Sequence, residues 1–255
     1  MNTYEKAVII TGAAGGIGQA LVTEFSAAGY YVIGIVHKAA PLPTFGVQYV
    51  TCDLELTVQN NVYASKIFDQ VRSHISKLYL KALINNAAVQ ILGEVKNLTK
   101  KDWKRTLDVN LLAPFFWTQA FLPELESAQG CVLNMSSIHA RLTKHSFCAY
   151  ATSKAALSGM TRALAVDLRG RVRVNAIEPA AIDTDMLRAG FEDNPNGLQQ
   201  LAAYHPSGAL GNPHDLANFA RSVVELNGGF LNGAVLGFDG GISGCLSDPD
   251  TIKTY

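Results

Sequence analysis

Tyr150 and Lys154 stand four residues apart in an Ala- and Leu-rich stretch, residues 149–168, that reads as a helix. At that spacing the two side chains leave the same helix face, one turn apart. A tyrosine hydroxyl ordinarily titrates near pH ~10. A neighbouring ammonium favours the phenolate and is expected to lower that value. A phenol tuned in this way can give a proton to a carbonyl oxygen or take one from an alcohol near neutral pH. Ser137, thirteen residues before Tyr150 and just past an apolar run, offers a hydroxyl that could hold the same oxygen. Alone, a Tyr/Lys pair is an ordinary helix surface, so its meaning depends on what else the chain carries.

A second motif supplies that context. Thr11-Gly12-Ala13-Ala14-Gly15-Gly16-Ile17-Gly18 separates the apolar run Ala7-Val8-Ile9-Ile10 from an amphipathic stretch at residues 17–28 that Gly29 ends. Glycines at such a strand-to-helix turn let the backbone approach a pyrophosphate, and the helix that follows presents free N–H groups and a positive dipole end. A glycine-rich turn by itself is weak evidence; set between a strand and a helix it points to a dinucleotide. Gln19 follows Gly18, with no Lys-Ser or Lys-Thr, which argues against a nucleoside triphosphatase loop.

These groups must be held by elements that alternate along the chain. Short apolar runs at residues 7–10, 31–36, 48–52, 82–85, 130–135, 172–177 and 235–238 read as strands buried on both faces. Between them, residues 17–28, 58–74, 100–121 (containing Pro114), 149–168 and 215–224 read as helices. Repeated β-α-β units predict an α/β fold, a doubly wound parallel sheet with helices on both faces. No linker divides the 255 residues, so residues 1–255 are expected to form a single domain. Pro41-Leu42-Pro43 reads as a loop, and residues 185–213, which include Pro195, as a substrate loop or lid.

Composition narrows the function classes. Apolar residues make up 48% and charged residues 16%, enough for a large core. Lys plus Arg and Asp plus Glu are both 21, which gives no electrostatic case for nucleic acid or an anionic membrane. Cys52, Cys131, Cys148 and Cys245 form no CxxC pair, and the six histidines show no metal-ligand spacing, so reduced thiols and no metal are expected. There is no signal-peptide pattern and no membrane-length apolar stretch, which makes a cytoplasmic protein the expectation.

Taken together, these residues resemble the short-chain dehydrogenase/reductase family over nearly the whole chain. The matches are Gly12, Gly16 and Gly18, the element Asn85-Asn86-Ala87-Ala88, Asn110 in Leu107-Asp108-Val109-Asn110, the Ser137–Tyr150–Lys154 spacing, Arg173-Val174-Asn175 with Pro179, and Phe238-Asp239-Gly240-Gly241. The resemblance implies a single-domain Rossmann fold and an NAD(P)-dependent oxidoreductase that interconverts a carbonyl and a secondary alcohol by hydride transfer. By position, Tyr150 would be the acid/base. Lys154 would tune it and bind the nicotinamide ribose, Ser137 would orient the substrate oxygen, and Asn110 would hold a water that relays protons from Lys154. Gly12, Gly15, Gly16, Ile17 and Gly18 would cradle the phosphates. Asp53 with Leu54 would meet the adenine, Asn86 and Ala87 the adenosine, and Pro179, Ile182 and Thr184 the nicotinamide end.

Two positions depart from the family pattern: Ala88 and Ala180 stand where glycines are usual, and Ala180 is expected to crowd the nicotinamide loop slightly. Strand two ends Ile35-Val36-His37-Lys38, without the carboxylate that would bind a ribose 2′-hydroxyl. His37 and Lys38 are instead expected to meet a 2′-phosphate, so NADP(H) is expected ahead of NAD(H). The partner is a small-molecule carbonyl or alcohol whose pocket is shaped by residues 138–147 and 185–213. His139, Arg141 and His145, near that pocket, are expected to be solvated. The family's habit of association implies a homotetramer or homodimer, with Phe115, Phe116, Phe121, Leu157 and Met160 as compatible apolar contacts; Trp103 and Trp117 read as core or subunit packing. A catalytically silent dinucleotide-binding regulator, or a cofactor-free halohydrin-cleaving enzyme of related architecture, are the competing readings. The full Asn110, Ser137, Tyr150 and Lys154 set opposes the first and the glycine turn opposes the second.

Overall fold

The computed structural model describes residues 4–38, 45–192, 194 and 196–246; Pro41-Leu42-Pro43 and Pro195 lie outside the described residues. Seven strands, β1 (Lys6–Thr11), β2 (Tyr31–Val36), β3 (Val47–Thr51), β4 (Tyr79–Asn85), β5 (Cys131–Met135), β6 (Arg173–Pro179) and β7 (Val235–Phe238), form a sheet in the order β3-β2-β1-β4-β5-β6-β7. Every neighbouring pair is parallel. The helices in chain order are α1 (Gly16–Ala27), α2 (Leu54–Gln59), α3 (Asn61–Ile75), α4 (Lys100–Leu107), α5 (Ala113–Ala120), α6 (Leu122–Ser127), α7 (Cys148–Asp167), α8 (Asp185–Ala189), α9 (Gly197–Ala203) and α10 (Pro213–Glu225). This is the doubly wound, Rossmann-type α/β architecture that the alternating runs predict.

The strand runs are continuously apolar because both sheet faces are covered. Successive side chains point to opposite faces. Val8 and Ile10 therefore join Leu21 and Phe25 of α1 and Leu216 and Ala220 of α10 in one core. Ala7 and Ile9 join Ile67 and Val71 of α3, Trp117 of α5 and Ala165 of α7 in the other. The strand order reverses between β1 and β4, which opens a crevice beyond their carboxyl ends, the place where such sheets bind ligands.

Several elements differ from the reading above. The stretch read as one helix over residues 58–74 is two helices, because Asn60 turns the chain extended (φ −138°) and its side chain accepts from Tyr63 N–H at the head of α3. The helical region over residues 100–121 is interrupted by a π turn, Asp108–Leu112, just ahead of Pro114. Proline has no N–H to give and its ring crowds the turn before it, and the wider turn absorbs that. α6 is additional, and residues 185–213 contain α8 and α9 and are pinned by a bridge between Ile182 and Gly211.

Phe121 and Leu157 are fully buried core residues, not contacts free for a partner subunit. Phe121 lies one turn after Trp117 and shares its inward face, where the two rings sit 5.7 Å apart. Phe115, Phe116 and Met160 keep partial exposure.

Candidate active site

The turn after β1 takes a shape that glycine alone makes easy. Gly12 has φ +66°, and a Cβ on Gly18 would lie 2.1 Å from the Gly12 carbonyl oxygen, closer than any side chain can sit. α1 then begins at Gly16 with Gly15 as its N-cap, no side-chain cap and no acidic residue in its first turn. Its free N–H groups are thus left to a ligand, and the twelve-residue dipole favours an anion there.

Beyond this turn lies a cleft of about 490 Å³. Gly12, Gly15, Gly16, Ile17, Gly18, His37, Lys38, Asp53, Leu54, Asn86, Ala87, Tyr150, Lys154, Pro179 and Thr184 line it, while Ser137, Asn110 and Ile182 do not. Hydrogen bonds fix the β1 and β4 sides to one another: Thr11 Oγ1 accepts from Asn86 N–H and Ala87 N–H, each at 3.0 Å, and Asn86 Nδ2 donates 2.9 Å to the Thr11 carbonyl. At the far end Asp53 caps α2 by accepting from Glu55 N–H, and its other oxygen lies 3.6 Å from His37 Nε2. A free helix end, a glycine turn and an extended cleft of mixed polarity fit a nicotinamide dinucleotide: the turn for its pyrophosphate, the Asp53 end for its adenosine, the Tyr150 end for its nicotinamide.

α7 carries the proton chemistry into this cleft. A buried chain of amides and a hydroxyl seats it, with Asn85 Nδ2 donating to Asn134 Oδ1 and Asn134 Nδ2 to Thr161 Oγ1. Lys154 is buried and its Nζ donates 2.6 Å to the Met135 carbonyl at the end of β5. Burial pushes its ammonium down to about 7, because a charge is costly away from water. Tyr150 moves opposite to the expectation from its lysine neighbour. Its phenol is held above its ordinary value by burial, with the Ser137 hydroxyl pulling weakly the other way. Lys154 Nζ sits 5.7 Å from the Tyr150 ring centre, and its own charge is depleted, so desolvation wins. The apolar surround includes His139, stacked 4.3 Å from Phe147, with both rings edge-on to Tyr150. That burial, with Lys144 nearby, lowers His139 to about 4, leaving a neutral ring. His139 is therefore half of an aromatic wall and not the solvated residue expected.

Four other positions singled out in the sequence lie outside the cleft lining. Asn110 in the π turn does not line the cleft: Oδ1 accepts from Val89 N–H at 2.8 Å, and Nδ2 donates to the Val89 carbonyl and to Ser153 Oγ. Its amide ties the loop after β4 to α7. The Ile182 side chain is buried in the core beside Gly211. Arg141 is exposed as expected but not free: its Nε donates 2.6 Å to Glu178 Oε2. Ala180 N–H donates 3.0 Å to the Phe238 carbonyl, which ties the loop after β6 to β7.

Sequence reasoning missed Arg105, Glu55, Ser136 and Met186, all of which line the cleft. Arg105 and Glu55 pair at 3.6 Å across fifty residues of chain, a separation that leaves no local pattern to read. Among the described residues no three His, Cys, Asp or Glu side chains are placed to hold a metal ion, and no helix is long and apolar enough to cross a membrane.

Comparison with known proteins agrees with this geometry. Residues 6–195 match the family model of short chain dehydrogenase. The chain is 28% identical to meso-2,3-butanediol dehydrogenase of Serratia marcescens, over 99% of this chain and 100% of that protein. Among solved structures, the ligand-free aldohexose dehydrogenase of Thermoplasma acidophilum superposes with a TM-score of 0.87 at 27% identity, covering 96% of this chain and 98% of that one. A 4-hydroxyisoleucine dehydrogenase complexed with NADH gives 0.84 at 26% identity, covering 95% and 100%.

The buried lysine has a consequence for stability. Its folded-state value, about 7, lies below its ordinary 10.5. The unfolded chain therefore binds more protons between those limits, and stability is lost as pH falls from 10.5 to about 7, with the full cost present below that. Lys154→Met removes the ionisable group. Below pH 7 its Tm is expected to exceed that of the wild type, by roughly 2 °C or more, and the advantage to shrink as pH rises to 10.5. Thermal melts across this range check it; an advantage that is constant or grows with pH contradicts the shift.

Proposed function

This chain belongs to the short-chain dehydrogenase family, and we propose that Tyr150 exchanges the proton with the substrate oxygen while Lys154, Ser137 and Asn110 hold the site in register. The protein is a nicotinamide-dependent oxidoreductase that interconverts a carbonyl and an alcohol. A bound dinucleotide supplies or accepts the hydride.

In the reducing direction Tyr150 gives its phenolic proton to the carbonyl oxygen; in the oxidising direction the phenolate takes it from the hydroxyl. Ser137 Oγ, beside the phenol, aligns that oxygen. Lys154 sits beneath both and, when charged, stabilises the phenolate left behind. Asn110 keeps the loop after β4 against α7, and the remaining lone pair of its Oδ1 can still accept from water. Gly12, Gly15, Gly16, Ile17 and Gly18 take the pyrophosphate. Asp53, Leu54, Asn86 and Ala87 take the adenosine, and Pro179, Thr184 and the backbone of Ile182 the nicotinamide end. The observation that carries this reading is that Tyr150, in contact with the Ser137 hydroxyl, and a buried Lys154 line the same cleft as the glycine turn. A catalytically silent dinucleotide-binding regulator has no observation in its favour.

NADP(H) is the cofactor we assign, supported by Val36 where a ribose-binding carboxylate would stand and by His37 and Lys38 beside it in the cleft. The Asp53 carboxylate, 3.6 Å from His37, is the observation that favours NAD(H) as the second reading. The substrate is a small-molecule carbonyl or alcohol, admitted past a lid at about residues 185–213 of a single 255-residue domain. A cytoplasmic homotetramer or homodimer is the form proposed, supported by the partly exposed Phe115, Phe116 and Met160.

A panel of ketones and alcohols, followed at nicotinamide absorbance with both cofactors, tests these points. Tyr150→Phe is expected to lower kcat by about 10²–10⁴ while the Kd for NADPH stays near that of the wild type; full turnover in the variant contradicts the role. The kcat/KM ratio of NADPH to NADH is expected to exceed one, and a clear NADH preference overturns the cofactor assignment.

A further inference from the structure

We propose that Glu178 is a positioning residue that fixes Ser137 and Lys154 relative to each other, through an ion pair to Arg141 on one side and a two-serine link to α7 on the other. The proposal rests on the reading that Ser137 and Lys154 serve the reacting oxygen.

Glu178 sits near the end of β6, directly before Pro179 of the cleft wall, and is only 1% exposed. By the two-residue period of a strand it shares a sheet face with Val174, which packs in the α7 core. An apolar side chain would satisfy that face, and a bare carboxylate there would be costly. The carboxylate is instead fully engaged. Oε2 accepts from Arg141 Nε at 2.6 Å and Oε1 accepts from Ser158 Oγ at 2.9 Å. A buried charge is retained at tolerable cost only with such partners, and removing one strands the other.

Each arm ends at a residue of the site. Arg141 follows the short 3₁₀ turn Ile138–Ala140, whose N-cap is Ser137. Arg141 N–H and Leu142 N–H both donate to the Ile138 carbonyl, and Ser137 Oγ accepts from His139 N–H, so the guanidinium and the serine belong to one small rigid unit. The Arg141 guanidinium also lies over Gly237, the residue of β7 in register with Glu178, beside Asp239. On the other arm, Ser136 Oγ lies 2.8 Å from Ser158 Oγ and 3.0 Å from the Lys154 carbonyl, to either of which it can donate. Ser136 N–H is bonded 2.8 Å to the Ile177 carbonyl. One carboxylate thus grips the turn that presents Ser137 and the helical turn that presents Lys154. Arg141 and Glu178 touch the site only through these neighbours.

Glu178→Gln keeps the shape and an acceptor for Ser158 but loses the charge that holds Arg141; Arg141→Met keeps the stem and loses the donors. In both variants, amide exchange of Arg141 and Leu142 is expected to quicken, and kcat on the best substrate of the panel to fall, each roughly tenfold. KM and the Kd for NADPH are expected to stay near wild type. The double variant is expected to lose no more than either single one, because the pair acts as a unit. Wild-type exchange in the turn, losses that multiply in the double variant, or a lowered Tm with kcat intact would overturn the proposal. Should Glu178→Gln fail to fold, Arg141→Met carries the same test. The exchange measurement needs no turnover, so it decides the clamp even if Tyr150→Phe remains active and the dehydrogenase roles fail.

Discussion

The site is organised by one buried amine. Lys154 is buried in the middle of α7, and among the described residues the one partner of its Nζ is the Met135 carbonyl. A charge in that position must be neutralised, paired or driven down in pKa. This structure takes the third course, with the ammonium lowered to about 7. The amine therefore changes charge near neutral pH. The same water-poor floor holds the Tyr150 phenol above its ordinary value, so the free protein keeps a loaded proton donor. A lysine at the surface would have given the reverse order, with a permanent cation and a more acidic phenol.

Holding those groups at the end of a ligand cleft is the task of the sheet. β1, β4, β5 and β6 end side by side, and each end contributes: the glycine turn, Asn86 and Ala87, Met135 to Ser137, and Glu178 to Pro179. Parallel strands make this possible, because every carboxyl end points the same way. The ends are cross-tied by Thr11 to Asn86 and by Asn85 to Asn134 to Thr161. Chemistry on α7 is thereby kept in register with a phosphate-binding turn more than a hundred residues earlier in the chain.

What the sequence made legible is what local spacing encodes. Runs such as Ala7-Val8-Ile9-Ile10 read as strands because burial on both faces leaves no polar alternation to find. The Tyr150–Lys154 pair is visible because four residues make one helical turn, and Gly12 to Gly18 because the turn geometry rests on a contiguous motif. Burial and distant partners were not legible. The direction of the Tyr150 shift depends on an apolar wall formed by His139 and Phe147, which folding creates. The Arg141–Glu178 and Arg105–Glu55 pairs join residues thirty-seven and fifty positions apart. The split between α2 and α3 turned on the side chain of Asn60 closing on Tyr63 N–H, a cap signal inside an otherwise helical pattern.

The claim on which the rest depends is that desolvation, not the lysine charge, sets the acidity of Tyr150 in the free protein. A difference absorbance titration of the wild type against Tyr150→Phe, with no dinucleotide present, isolates this one phenolate. The account predicts that its signal appears only above the ordinary value of 10.0. A phenolate that titrates below that value would contradict it and would restore the lysine ammonium as the dominant influence.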